Sequence, residues 1–412
     1  MSEWQDMTLG DFVGIQRGHD LTEPQRRIGH VPVMGSAGQN GFHDTALAKG
    51  PGIVIGRSGA SFGQVHFSSV DYWPHNTALY VTDFKGNDER FAFYFLKALD
   101  FDRYNSGSAQ PSLNRNFIYP IPVRIPPLPE QKAIAAVLGA LDDKIELNRR
   151  MNATLEAMAR ALFQSWFVDF DPVRAKLDAP AGLSAEALAK VGLDPATAAL
   201  FPSSFQDSPI GEIPQSWRVG TLGGLVELRT DRVDATPAKD GKRYIALEDM
   251  PSKSIDLSRH QLGSAVNSSI TAFRRGDVLF GSMRPYFHKV GLAFFDGITR
   301  TTTFVLRPRK DCFRHFALLH FFSDDVVAYS TTASVGTTIP YVKWDSLESY
   351  RIPIPPDSLL AAFEQAVSPL VQRISAQGEE SHTLATLRDT LLPKLLSGEL
   401  SVPELKEGYV CC

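Results

Sequence analysis

Apolar residues recur along residues 134–166 at steps that alternate between four and three. This spacing is the heptad repeat of a helix that buries one stripe of side chains against a partner helix. The seam positions are Ile134, Leu138, Leu141, Ile145, Asn148, Asn152, Leu155 and Leu162. Asn148 and Asn152 interrupt the middle of the stripe. The pattern therefore predicts a long helix whose seam has apolar ends and a polar centre.

The same pattern returns at an offset of 229 residues. The second seam consists of Phe363, Val367, Leu370, Ile374, Gln377, Ser381, Leu384 and Leu391. Pro127 and Pro356 stand just before the two helices, where the missing N–H of proline costs nothing. The sequence therefore predicts two long helices of the same design.

Two such seams are most simply buried against each other. An antiparallel pair is expected, because a globular unit precedes each helix. If a pseudo-two-fold axis crosses the seam centre, Asn148 faces Ser381 and Asn152 faces Gln377. A buried polar layer of this kind fixes the register of a helix pair. The alternative is that each helix packs separately on its own domain.

The regions before the two helices lack long helical periodicity. Short runs rich in β-forming residues alternate there with Gly, Asn and Asp turns. The predicted strands include Gly52–Ile55, Ala78–Val81, Asp277–Phe280 and Thr302–Leu306, and the predicted helices are Phe91–Leu99 and Phe313–Phe322. Each region is therefore interpreted as a mixed α/β domain with a twisted, mainly antiparallel sheet.

The repeat extends through these domains and defines the organisation of the chain. Trp4–Val13 resembles Trp217–Val226, and Ile53–Ser58 resembles Asp277–Ser282. The predicted segments are a first domain at 1–126, a first long helix at 127–170, a linker at 171–209 with one short helix near Ser184–Val191, a second domain at 210–355, a second long helix at 356–400 and a tail at 401–412. The predicted fold class is α+β: two mixed α/β domains held apart by an antiparallel two-helix coiled coil, with a pseudo-two-fold internal repeat.

Composition and charge exclude some classes of protein but do not identify a function. The chain is 43% apolar and 21% charged with a net charge of −4, which is typical of a folded protein and not of a strongly basic nucleic-acid binder. Residues 1–125 carry 11 Lys and Arg against 12 Asp and Glu, whereas residues 211–355 carry 19 against 15. No apolar run approaches the roughly 18 residues of a membrane span, so a cytoplasmic protein without membrane contact is expected.

The familiar catalytic motifs are missing from the sequence. There is no phosphate-binding loop, no glycine-rich cofactor turn, no zinc-protease helix and no nucleophile elbow. The ten histidines and three cysteines do not form a set with metal-ligand spacing, so no metal site is expected. A two-fold repeat without a reaction centre indicates a protein that recognises something twice.

Five segments, in this order, carry a family resemblance. They are IPPLPEQKAIA at Ile125–Ala135, LDDKIELN at Leu141–Asn148, FQSWFVDFDPV at Phe163–Val173, PIGEIPQSW at Pro209–Trp217 and LLPKLLSGEL at Leu391–Leu400. Together with the overall plan, they resemble the specificity subunit of type I restriction–modification systems. The resemblance covers nearly the whole chain.

The resemblance implies a non-catalytic, DNA-reading subunit with two target-recognition domains. Each domain would read one half of a split site in double-stranded DNA, with an unread gap between the halves. The helices would act as a spacer and as the dock for two methyltransferase subunits, which restriction and translocase subunits can join. No cofactor is expected in this chain: S-adenosylmethionine belongs to the methyltransferase partner, and ATP and Mg belong to the restriction partner.

Candidate DNA-binding residues come from polar, turn-rich stretches, because base edges and phosphates are contacted by Arg, Lys, Asn, Gln and hydroxyl groups. The first domain offers Arg57, Ser58, Gln110, Asn114 and Arg115. The second domain offers Arg284, Tyr286, Thr338, Tyr341 and Lys343. Arg284 and Tyr286 are expected in the stretch that matches Arg57. Each candidate has the alternative interpretation of a solvated surface residue.

A specificity subunit that serves a system without type I cleavage is a close alternative, and two functions of other classes also stay open at this point. One is a self-sufficient DNA methyltransferase or nuclease, against which the missing motifs argue. The other is a coiled-coil scaffold whose globular ends bind proteins and not DNA. Binding of S-adenosylmethionine by the isolated chain would favour the enzyme, whereas salt-dependent retention of duplex DNA would exclude the scaffold.

Overall fold

The computed structural model describes residues 4–105, 111–178, 193–231, 241–263 and 269–403. The chain forms two compact units. Unit 1 contains Met1–Lys144 and Leu384–Cys412, and unit 2 contains Ile145–Thr383. Each long helix therefore contributes residues to both units.

Unit 1 is built on a four-stranded antiparallel sheet and a smaller three-stranded sheet. The main sheet has the order Gly14–Arg17, Ala78–Asp83, Gly52–Gly56 and Val65–Ser68. The smaller sheet has the order Gly38–His43, Val31–Gly35 and Trp73–Pro74, and Gln5–Thr8 pairs separately with Pro122–Ile125. Helix Glu89–Ala98, which is capped by Asp88, buries Phe91 and Phe95 in a core shared with Leu138 and Leu395. The main sheet thus packs on parts of both long helices.

Unit 2 repeats this plan with an additional strand in the second sheet. Its main sheet has the order Val226–Arg229, Thr303–Pro308, Val278–Gly281 and Val290–Leu292. The second sheet has the order Gln261–Leu262, Arg243–Ile245, Gly297–Arg300 and Ile270–Phe273, and the strand pairs outside it are Arg218–Thr221 with Arg351–Ile354 and Phe205–Gln206 with Ile213–Pro214. Helices Arg314–Phe322 and Asp324–Thr332 complete the layer on the main sheet. The predicted fold class, two mixed domains of repeated design with long helices, is confirmed.

Short helical segments join these elements. The short α-helices are Leu9–Phe12, Arg115–Ile118, Asp171–Asp178, Pro195–Ala199, Leu222–Leu225 and Trp344–Glu348. The single 3-10 turns are Glu23–Gln25, Gly59–Ser61, Phe101–Tyr104, Pro285–Phe287 and Asp311–Phe313. Part of the segment predicted as a linker is folded, because Val173, Leu193 and Phe201 are buried in the core that contains Trp217. The short helix predicted near Ser184–Val191 lies outside the described residues.

The first long helix runs from Leu128 to Phe163 and continues through a π-helical turn at Gln164–Val168. The second runs from Asp357 to Ser397. Within unit 2 the helices pair antiparallel, since Asn148 contacts Ser381 while Asn152, one turn further on, contacts Ile374. None of the sixteen predicted seam residues is exposed. Ile134 and Phe363, which begin the two seams, are fully buried, whereas Leu162 and Leu391, which end them, are partly buried.

The polar centre of the seam differs in part from the expectation. Asn148 Nδ2 donates to Ser381 Oγ at 3.2 Å and to Glu380 Oε2 at 2.8 Å, so the expected Asn148–Ser381 contact is present. Asn152 does not donate to Gln377: its Nδ2 contacts Asp256 Oδ2 at 3.2 Å and the Ile374 carbonyl at 3.3 Å. The physical reason is that the segment around Asp256 packs against the helix pair and supplies a carboxylate, a better acceptor than an amide oxygen.

A second carboxylate, that of Glu156, is buried one turn beyond Asn152. Glu156 Oε1 accepts hydrogen bonds from Ser254 Oγ at 2.6 Å and from the Ile255 amide at 3.2 Å. Burial raises the pKa of Glu156 to about 7, and the negative charge of Asp256 acts in the same direction. Burial also raises the pKa of Asp256. The folded protein therefore binds protons at these carboxyls more tightly than the unfolded chain does.

This proton affinity predicts a specific dependence of stability on pH. As pH rises from about 4.5, the ordinary value for Glu, to about 7, the free energy of unfolding of unit 2 should fall. Glu156→Gln keeps the acceptor oxygen but removes the charge. It should therefore become more stable relative to the parent protein as pH rises, by about 1.4 kcal/mol per unit of pKa shift. Denaturant unfolding at pH 4.5, 6 and 8 measures this difference.

Glu146→Gln is the matched control on the same helix. The Arg149 guanidinium lowers the pKa of Glu146, so this substitution should show no gain in stability with rising pH. Parallel pH profiles for the parent and Glu156→Gln proteins would contradict the assignment.

Candidate nucleic-acid interface

In unit 1, the loop that follows the central strand Gly52–Gly56 is fixed by backbone hydrogen bonds. The Arg57 amide donates to the Thr77 carbonyl at 3.0 Å, and the Leu113 amide donates to the Arg57 carbonyl at 2.8 Å. Gly56 has no room for a Cβ atom, which would lie 1.9 Å from the Ser61 carbonyl oxygen. The loop is therefore held beside the segment that leads into helix Arg115–Ile118.

These segments and the edge strand Gly14–Arg17 enclose a concave pocket of about 500 Å³. It is lined by Gln16, Arg17, Arg57, Leu79, Ser112, Leu113, Asn114 and Arg115. The lining contains three arginines and no carboxylate. The pocket is therefore a cationic surface with amide and hydroxyl groups, as contact with phosphates and base edges requires.

The arginines of the pocket are anchored by weak contacts and stay available to a ligand. Arg57 Nη1 donates to the Asn76 carbonyl at 3.4 Å, and Arg115 Nη1 donates to the Ile15 carbonyl at 3.3 Å. Over the part of the chain that the structure describes, neither guanidinium forms an ion pair with a carboxylate. Arg17 lies 3.7 Å from the exposed Asp20, a distance at which an exposed ion pair contributes little.

The structure brings three of the predicted residues of the first domain, Arg57, Asn114 and Arg115, to one pocket. Ser58 pairs with Ser112 as an isolated antiparallel bridge at its edge. Gln110 lies outside the described residues. Sequence reasoning missed Gln16 and Arg17, which reach the pocket because Gln16 pairs with Tyr80 and Arg17 with Leu79. The sequence carries no signal for this, because Gln16 and Arg17 are adjacent polar residues that follow the buried Ile15 without alternation.

Unit 2 contains the same loop with the same hydrogen bonds. The Ser282 amide donates to the Thr302 carbonyl at 3.0 Å, and the Val342 amide donates to the Ser282 carbonyl at 3.0 Å. Ser282 is therefore the structural equivalent of Arg57. The sequence match that placed Ser58 opposite Ser282 is wrong by one residue, because a short apolar strand can slide by one position without penalty in a sequence comparison.

The correction changes the role of Arg284. Arg284 occupies the place of Gly59 and not that of Arg57, and both residues have positive φ, 49° for Arg284 and 81° for Gly59. The Arg284 amide donates to the Pro340 carbonyl at 2.7 Å, and Met283 pairs with Tyr341. Arg284 and Tyr286 thus lie on a loop bonded to the segment that carries Tyr341. The exposed Thr338 and Lys343 lie on this second segment.

Other kinds of site find no support in the described residues. No group of three or more His, Cys, Asp or Glu side chains within them could hold a metal ion. In the same residues, no helix combines the length and the apolar character that crossing a bilayer demands.

Comparison with known proteins shows which proteins this chain is similar to. Residues 1–157 match the family described as "Type I restriction modification DNA specificity domain". The MjaIX type I specificity subunit of Methanocaldococcus jannaschii is 27% identical over 76% of this chain and 70% of its own length. The HindI specificity subunit of Haemophilus influenzae is 26% identical over 97% of this chain and its full length. The crystal structure of a type I S subunit from M. genitalium has the same fold, with a TM-score of 0.59 at 16% identity over 96% of both chains.

The backbone of Arg284 leads to a prediction about stability. A non-glycine residue in the left-handed region costs about 1 kcal/mol relative to glycine, so Arg284→Gly should leave the free energy of unfolding unchanged or raise it by up to about 1 kcal/mol. Arg274→Gly is the control, since this exposed arginine has no positive φ, and it should lose about 0.5–1 kcal/mol. Urea unfolding of both variants measures this. An equal loss in both would show that Arg284 is not strained.

Proposed function

We propose, from the premise that the chain belongs to the family of type I restriction–modification specificity subunits, that it is the DNA sequence-recognition subunit of such a complex. It would read a bipartite target in double-stranded DNA, with one half-site for each unit and an unread gap between them. Methylation and cleavage would take place in partner subunits. The chain itself would contribute recognition and docking, without a catalytic residue.

The observation that carries this proposal is the cationic pocket of unit 1. A guanidinium can donate two hydrogen bonds to the N7 and O6 acceptors of guanine, and an amide such as Asn114 or Gln16 can pair with adenine. The same groups can hold phosphates, which position a protein on the duplex. Arg57 and Arg115 are suited to either task because neither is paired with a carboxylate of the described residues.

The repetition of the loop in unit 2 supports a two-part target. Each unit places the loop after its central strand beside the segment that precedes its long helix, through equivalent backbone hydrogen bonds. Equivalent scaffolds with different side chains are what two readers of different short sequences require. Arg57 and Ser282, for example, occupy the same position.

The long helices supply a surface for the proposed methyltransferase subunits. Leu147, Met151 and Met158 are between 36% and 50% exposed and lie on one face of the first long helix, at spacings of four and seven. Exposed methionines in a row are typical of protein-binding surfaces. Two methyltransferase subunits would bring S-adenosylmethionine, and restriction subunits would bring ATP and Mg.

The arginines of the pocket lead to a prediction about DNA binding. In the complex of this chain with its methyltransferase subunits, Arg57→Ala and Arg115→Ala should each weaken binding to target DNA by about 10- to 100-fold if the arginine contacts a base. Removal of a phosphate contact would instead weaken binding to all sequences and lower the salt slope by about 1. Fluorescence anisotropy at several salt concentrations distinguishes the two contacts.

Arg103→Ala is the control in the same unit. Arg103 is exposed and paired with Asp100 on a turn that does not line the pocket, so binding should stay within twofold of the parent complex. If Arg57→Ala and Arg115→Ala also stay within twofold, the pocket does not contact DNA.

A further inference from the structure

Unit 2 carries an exposed apolar surface on two segments. The first is the loop with Tyr286 and Phe287, and the second runs from Val335 to Tyr341. The side chains of Tyr286, Phe287, Val335, Ile339 and Tyr341 are between 39% and 50% exposed. We call these five residues the aromatic patch. Large apolar side chains that are exposed together, and not singly, mark a binding surface.

Hydrogen bonds join the two segments that carry the patch. Val335 and Tyr341 exchange two backbone hydrogen bonds of 2.9 and 3.0 Å, which bring the ends of the second segment together. The Arg284 amide reaches the Pro340 carbonyl, so the first segment is bonded to the second. The rings of Tyr286 and Phe287 meet edge to face with centroids 4.8 Å apart. The two segments that carry the patch are therefore held together by backbone hydrogen bonds.

The equivalent position in unit 1 has the opposite chemistry. Ser112 pairs with Ser58 there, whereas Tyr341 pairs with Met283 in unit 2, through the same antiparallel bridge. The pocket that includes Ser112 is lined by three arginines, two amides and this hydroxyl, together with two leucines. The two units thus present a polar surface and an apolar surface on the same scaffold.

The guanidinium of Arg284 lies against the aromatic patch, and the exposed Lys343 follows Tyr341 just after the second segment. The Arg284 guanidinium lies 6.0 Å from the centroid of the Phe287 ring and is exposed. It forms no ion pair within the described part of the chain. A ligand that contacts both the apolar side chains of the patch and the Arg284 guanidinium needs a small apolar group next to a hydrogen-bond acceptor.

Thymine has this combination in the major groove. Its edge presents the C5-methyl group beside the O4 acceptor, and none of the other three bases carries a methyl group. We propose that unit 2 recognises thymine, an inference that rests on the proposed function. The aromatic patch contacts the C5-methyl group, and Arg284 donates a hydrogen bond to O4. The two half-sites are then read by different chemistry.

The shape of the patch favours this contact over insertion into the base stack. A wedge that kinks DNA is an apolar side chain that projects between two base pairs. The aromatic patch instead spreads five side chains over two segments, and Tyr286 and Phe287 pack against each other. A broad surface suits van der Waals contact with methyl groups.

Deoxyuridine provides a direct test, because it differs from thymidine only in lacking the methyl group. The complex with methyltransferase subunits is first used to select its target from random duplexes. The half-site of unit 2 is the one whose preference changes in Tyr341→Ser, which installs the residue found in unit 1. Deoxyuridine in place of thymidine in this half-site should then weaken binding by about fourfold per contacted methyl, which corresponds to ~0.8 kcal/mol.

The protein variants and the two kinds of duplex together form a double-mutant cycle, which compares loss of the patch side chain with loss of the methyl group. Phe287→Ala and Tyr341→Ser should bind thymine and uracil duplexes equally, whereas Phe42→Ala, an exposed aromatic residue of unit 1, should keep the fourfold difference. A unit 2 half-site without a T·A pair, or uracil duplexes bound as tightly as thymine duplexes by the parent complex, would overturn the inference. So would loss of subunit assembly in Phe287→Ala, which reports a protein contact. If the parent complex selects no sequence at all, the proposed function itself fails.

Discussion

One backbone hydrogen bond in each unit fixes the candidate interface. It runs from the Leu113 amide to the Arg57 carbonyl in unit 1 and from the Val342 amide to the Ser282 carbonyl in unit 2. Its partners are far apart along the chain, so the bond exists only when the main sheet is formed. Leu113 and Val342 are buried, and each is followed by the strand that leads into a long helix. The side chains of each loop are therefore set relative to the start of the long helix that follows it.

The polar residues at the centre of the helix seam add specificity of register at a cost in folding stability. The amide oxygens of Asn148, Asn152 and Gln377 are buried without a hydrogen-bond partner among the described residues. Each such group is unfavourable by about 1–3 kcal/mol, whereas an apolar seam would avoid the loss. Their amide nitrogens, however, have hydrogen-bond partners in the register that the structure shows. In unit 1, a polar contact also joins the two long helices, since Asp142 accepts a hydrogen bond from Arg388 at 2.5 Å. Asp142 accepts a second hydrogen bond from Tyr94 at 2.7 Å.

The sequence predicted those features that depend on local periodicity. The heptad pattern predicted both long helices and the contact of Asn148 with Ser381, and the runs of β-forming residues predicted the central strands. Features that depend on distant pairing were missed or misplaced. Asp256 takes the partner role expected of Gln377, the match around Arg57 was wrong by one residue, and Gln16 and Arg17 join the pocket only through strand pairing. Phe287 was passed over because exposure of an aromatic residue is not visible in a sequence.

The central claim is that the two units are separate readers built on one scaffold. The most direct measurement is the sequence that the complex selects from random duplexes, compared between the parent chain, Arg57→Ala and Arg284→Ala. The account predicts a target in two parts, of which Arg57→Ala relaxes one and Arg284→Ala relaxes the other. A single uninterrupted target, or the same part relaxed by both substitutions, would contradict it.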